Sequence, residues 1–144
     1  MSNILNKIIE NNNDLDDEDY CLTVVKQNGL ALKFVRNQTP EVCLAAIKQN
    51  GYALQYAIEQ TPEICLAAVK QLSVLISYVR NQTPEICLVA VQQDGEALKY
   101  VKDQTPEICV EAIRQDEEAI QFIKLPVAEP ERTRFIKELA LLIN

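Results

Sequence analysis

The chain has 144 residues, a net charge of −7, a pI near 4.6, no His and no Trp. Such a length suits one domain with a substantial core. The acidic balance argues against a surface built for phosphate backbones, which needs clustered Lys and Arg. Without His, and without a Gly-rich phosphate loop, no triad or P-loop can be assembled.

The start, Met1-Ser2-Asn3-Ile4-Leu5-Asn6-Lys7, is polar-interrupted and reads without a secretory pattern. Residues 2–10 are predicted to form a short helix whose Ile4, Leu5, Ile8 and Ile9 face the first repeat, giving an N-terminal cap over 1–16. Asn12-Asn13-Asp14-Leu15-Asp16-Asp17 resembles half a calcium loop but lacks its glycine and distal glutamate. Asp17 reads better as a helix cap.

From Asp17 onward one motif returns every 22 residues: Asp17-Glu18-Asp19-Tyr20-Cys21-Leu22 in weak form, then Thr39-Pro40-Glu41-Val42-Cys43-Leu44, and again from Thr61, Thr83 and Thr105. Five units follow, 17–38, 39–60, 61–82, 83–104 and 105–126. Self-similarity at this period marks a stacked repeat protein. In unit two, Thr39 caps a helix, Pro40 fills its first position and Glu41 suits the positive end of the dipole. Val42, Cys43, Leu44, Ala46 and Ile47 form a wide apolar stripe. Asn50-Gly51 is expected to stop the helix, the glycine in a left-handed conformation. A second helix of about seven or eight residues then runs through Ala53, Leu54, Tyr56 and Ala57. The leucine-rich repeat, the rival at this period, needs an L-x-x-L-x-L strand pattern that is missing. The fold class is therefore all-α, an α-solenoid of five helix-turn-helix units. Residues 127–144 break the register at Val127–Pro130 and are predicted to form a C-terminal capping helix sealed by Phe135, Ile136, Leu139, Ala140 and Leu142.

Lys26-Gln27-Asn28-Gly29-Leu30-Ala31-Leu32-Lys33-Phe34 and Lys48-Gln49-Asn50-Gly51-Tyr52-Ala53-Leu54-Gln55-Tyr56 resemble the K-Q-N-G-x-A-L-x-[YF] repeats of domain of unknown function 4116, a family of giant DNA viruses of amoebae and of some bacteria. Gln71-Leu72-Ser73-Val74 and Gln115-Asp116-Glu117-Glu118 depart from that pattern. The resemblance implies the repeat architecture and no activity, cofactor or catalytic residue.

Cys21, Cys43, Cys65, Cys87 and Cys109 share one register position. Equivalent stacked helices lie about 8–10 Å apart, too far for disulfides, so these residues read as core. Lys26, Lys48, Lys70 and Arg114 end first helices, and Arg36, Arg80, Lys102 and Lys124 end second ones; dipole complementarity explains both sets. Two glutamine series also repeat, Gln27/49/71/93/115 and Gln38/60/82/104. A ladder to turn amides and carbonyls and simple exposed capping are both open.

Variation carries the functional signal. After the turn stand Leu30, Tyr52, Val74, Glu96 and Glu118, and one turn later Lys33, Gln55, Ser77, Lys99 and Gln121. Leu30, Tyr52, Leu72 and Val74 are the candidate protein-binding residues, an apolar strip along units one to three that gives way to acid. The alternative is that unit three packs its turn inward. The reading is a non-enzymatic interaction module for a protein partner, with no catalytic, cofactor or metal residues, no evident small-molecule substrate and no membrane span of about 18 apolar residues. The setting is expected to be cytoplasmic, with reduced thiols, and the molecule a monomer or weak homo-oligomer. The competing reading is nucleic-acid binding along the Lys/Arg edge, against which the acidic total argues.

Overall fold

The structure, a computed structural model, describes residues 16–144. The expected N-terminal helix over 2–10 lies outside the described residues. The rest is all helix, with no strand among the described residues. Five ten-residue α-helices, α1 (Glu18–Gln27), α2 (Pro40–Gln49), α3 (Pro62–Gln71), α4 (Pro84–Gln93) and α5 (Pro106–Gln115), alternate with five six-residue 3-10 helices. These are η1 (Gly29–Phe34), η2 (Gly51–Tyr56), η3 (Ser73–Tyr78), η4 (Gly95–Tyr100) and η5 (Glu117–Phe122), and α6 (Glu131–Ile143) follows. Each α-helix packs on the next and each 3-10 helix on the next, giving two layers. The core runs between them without interruption from unit to unit.

The α-helices start where the caps dictate. The Thr39, Thr61, Thr83 and Thr105 side chains accept the amides of Val42, Ile64, Ile86 and Ile108 at 3.3–3.4 Å, and Asp17 accepts that of Tyr20 at 2.9 Å. Helices this short are marginal alone. Val42, Cys43, Ala46 and Ile47, at most 2% exposed, show that burial between units stabilises them.

The second element of each unit differs from expectation. It is a 3-10 helix of six residues, and Ala57 closes it in an extended conformation. Asn50 is extended as well (φ −153°, ψ 110°); it ends α2 with its amide and starts η2 by accepting the Tyr52 amide at 3.0 Å. Asn28, Asp94 and Asp116 do the same for Leu30, Glu96 and Glu118. With three residues per turn, residues three apart eclipse. Gly51, Leu54 and Ala57 therefore form one column, matched by Gly29/Leu32/Val35, Ser73/Ile76/Val79 and Gly95/Leu98/Val101, all buried.

Nor is the glycine a left-handed cap, because no described glycine has a positive φ. It is needed for close approach. A Cβ on Gly29 would lie 2.2 Å from the Ala46 carbonyl oxygen of the next unit, and one on Gly95 2.6 Å from that of Ala112. At Gly51 the nearest atom is the Leu75 Cδ1 of the next unit, at 2.5 Å.

The glutamines are ladders. Gln82 Nε2 donates to the Ile76 carbonyl of its own unit (3.0 Å) and the Tyr100 carbonyl of the next (3.1 Å), while its Oε1 accepts the Lys102 amide (2.9 Å). Gln38, Gln60 and Gln104 repeat the pattern with Ile58, Arg80 and Lys124 as amide donors. In the other series, Gln49, Gln71 and Gln115 accept the amides of Gly29, Gly51 and Gly95 from the preceding unit at 2.6–2.9 Å, and Gln71 also donates to the Ile47 carbonyl. At the junction of units three and four, Ser73 replaces the glycine and its hydroxyl donates to Asp94 at 3.2 Å.

Three members of the second basic series are likewise built in. Arg80 donates to the Ala57 and Ile58 carbonyls, Lys102 to those of Val79 and Arg80, and Lys124 to those of Lys99 and Val101. These side chains reach back onto the unit before them, which dipole complementarity alone did not anticipate. Among the first series, Lys26, Lys48 and Lys70 are exposed.

All five cysteines are buried. Burial pushes each thiol above its ordinary value of 9.0, Cys109 to about 11. A folded-state value raised in this way contributes stability that is complete below pH 9 and is lost as pH rises through the raised values. The melting temperature should hold steady from pH 7 to 8.5 and fall by pH 11. Alkylation by iodoacetamide at pH 8 should be slow until denaturant is added, because the thiolate is the reactive form. Rapid native alkylation of all five would contradict the packing.

The C-terminal helix covers less than expected. α6 packs on α5, Phe135 is buried, Leu139 is half-buried against the core, and Pro106 and Val110 beneath are buried. Ile136, Ala140 and Leu142 remain exposed, although the Leu142 carbonyl accepts from Arg114 of α5 at 3.4 Å.

Candidate interaction surface

The four candidate residues fall along the 3-10 layer, with differing exposure. Tyr52 is exposed, and Leu30 and Val74 are half-buried, Val74 packed against the core. Leu72 occupies the position where Asn28, Asn50, Asp94 and Asp116 cap the following 3-10 helix; it makes no such bond and is 45% exposed. Ser73 packs inward and Leu72 outward, so the unit-three turn does both things the sequence left open.

Tyr78, absent from the sequence-based set, completes the patch. Its ring meets that of Tyr52 edge-on at 6.3 Å between centroids, and it is 39% exposed. The signal for it was the variable residue beside it. Lys33 reaches over Phe34 (4.7 Å) and Lys99 over Tyr100 (5.2 Å), so those rings are half-covered. Ser77, in the same position, is too short to shield Tyr78. In unit four Lys99 also pairs with Glu96 at 3.0 Å, so polar groups occupy the surface there.

On the opposite layer a groove of about 590 Å³ lies between α1 and α2, floored by Leu22, Leu44 and Ala45 and edged by Lys26, Lys48 and Glu41. It brings together one carboxylate and two amines. Among the described residues no group of three or more Cys, Asp or Glu is placed to hold a metal ion, and no helix is long and apolar enough to cross a membrane.

Paired short helices in register, joined by side-chain ladders, define the molecule as an all-α repeat solenoid. The family resemblance is matched in sequence: the model described as domain of unknown function (DUF4116) matches residues 17–60 and again 39–82, each match covering two units, offset by one. Comparison with curated proteins and with solved structures gave no match.

Proposed function

We propose that this chain is a non-enzymatic binding module that presents the 3-10 layer of units two and three to a protein partner. The observation that carries this reading is Leu72. At this position an Asn or Asp would cap η3, as it caps the other four, yet an exposed leucine stands there, on the same 3-10 layer as Tyr52 and Tyr78. A local rule broken at one repeat, in favour of exposed apolar surface, is the signature of a site kept for contact. Aromatic residues that are partly exposed and preorganised by edge contact are frequent binding anchors.

The nucleic-acid alternative is weaker. Arg80, Lys102 and Lys124 are held on backbone carbonyls, which leaves a sparser basic edge than the sequence implied.

Leu72→Asn tests the reading in two directions. It should raise stability by about 1 kcal/mol through the restored cap. Combined with Tyr52→Ala, it should abolish recovery of the partners that the wild-type chain captures from its native cell. Unchanged recovery by this well-folded double variant would remove the patch from consideration.

A further inference from the structure

We propose that the open end of the 3-10 layer, centred on Ile120, docks a basic segment of a partner protein that inserts one apolar side chain. This surface is separate from the Tyr52–Tyr78 patch. Leu32, Leu54, Ile76 and Leu98, the equivalents of Ile120, are each 0% exposed, whereas Ile120 is 62% exposed. The difference has a simple cause. Each of the four is followed by another unit, and α6, which follows unit five, packs on α5. A core position is thus left open at one end of the stack, and Leu125, 46% exposed, extends the apolar surface along the chain.

Two residues make this end unfit for a further unit of the same kind. Glu117 stands in the glycine position, where even a Cβ would collide with an incoming helix at Gly29 or Gly95. Pro126 stands in the position of Gln38, Gln60, Gln82 and Gln104, so the bridging amide is missing. Stacking of a second copy onto this end would meet both obstacles. The occupant has another shape, one that reaches Ile120 without pressing a helix against Glu117.

Charge gives the occupant its chemistry. Units one to three hold six acidic and six basic residues, whereas units four and five hold nine acidic and four basic. The first turns of η1, η2 and η3 contain no acid, while η5 carries Glu117 and Glu118, both exposed. Glu117 is three residues before Ile120 and so eclipses it on the same column. The Lys124 amine is turned back onto the carbonyls of Lys99 and Val101, away from these carboxylates. An apolar contact rimmed by unpaired acid selects an apolar anchor flanked by Lys or Arg, steered in by charge.

The test is isoleucine-methyl NMR on the full chain, titrated with a synthetic 12-residue peptide holding a central Leu among Lys and Arg. The Ile120 methyl should shift and saturate. Affinity should fall at least about tenfold, the equivalent of about 1.4 kcal/mol, when the peptide's Leu becomes Ala, or when the chain carries Glu117→Lys with Glu118→Lys. Tyr52→Ala should leave this binding unchanged. An Ile120 methyl unmoved by millimolar peptide would overturn the proposal. So would equal binding of a Glu-flanked peptide, or an Ile120 shift on concentrating the protein alone, which would identify a second copy as the occupant.

Discussion

Gln82→Ala should be among the most damaging single substitutions in this chain. It removes three hydrogen bonds, two of which join units three and four, and leaves the Ile76 and Tyr100 carbonyls and the Lys102 amide without that partner. At a net 0.5–1.5 kcal/mol per bond, with a further penalty for any group left dry, the loss is about 2–4 kcal/mol. Position adds to it. The junction of units three and four already has Ser73 bonded to Asp94 where its neighbours have a glycine amide bonded to a glutamine. Stability in a stacked array is a sum of unit and nearest-neighbour terms, so weakening the junction that has only one glutamine bridge should uncouple the two sides. Urea denaturation followed by circular dichroism should show a lower midpoint and a broadened or two-step transition. Gln60→Ala, at a junction that retains the Gly51–Gln71 bond, should lower the midpoint and keep one transition. Identical curves for the two variants would mean that the ladders do not set the coupling.

Glycine substitutions discriminate between close approach and backbone conformation. If the glycines served a left-handed turn, Asn would be the best replacement and Ala next. Because the limit is the backbone carbonyl of the following unit at 2.2 Å for Gly29 and 2.6 Å for Gly95, the order reverses. Gly29→Ala should cost about 3 kcal/mol, the upper range for forcing atoms into a filled contact, and Gly29→Asn more. Gly51→Ala should cost less, since the first atom met is the end of the Leu75 side chain, which can rotate away. Glu117→Ala, at the same register position with no unit packed against it, should change stability by less than about 0.5 kcal/mol. Thermal melts of these four variants give the comparison, and a Gly29→Asn chain as stable as wild type would refute the close-approach account.

The architecture was legible because each unit carries its own punctuation. Thr-Pro-Glu marks each helix start from unit two onward, and the cysteine register marks the buried face, independently of what lies beside it. The 3-10 character of the second element was not legible. Over six residues, Gly-Tyr-Ala-Leu-Gln-Tyr satisfies a period of 3.0 as well as 3.6, and only the extended Asn50 and Ala57 at either end settle it. The roles of Gln38, Gln60, Gln82 and Gln104 were half legible. Their recurrence announces a shared task, but their partners are main-chain groups of another unit, and main-chain groups carry no sequence signal. The same holds for Arg80, Lys102 and Lys124. In the candidate surface, Tyr52 and Leu72 were found from variation within the repeat. Tyr78 was missed because the aromatic itself recurs, and its exposure depends on Ser77 being short. The incomplete cover by α6 could not be read from an amphipathic stripe, which states how much surface a helix can bury but not how much its neighbour offers.

The central claim is that neighbouring units are joined through glutamine side chains as well as through the apolar core. Native-state hydrogen exchange of the Ile58, Arg80, Lys102 and Lys124 amides tests it most directly. All four belong to exposed residues outside any helix, and each donates to a glutamine 20 residues earlier in sequence. Protection of these amides approaching that of the helix interiors, with the Lys102 amide released in Gln82→Ala, is the result expected. Exchange of all four at the rate of open linker amides would contradict it.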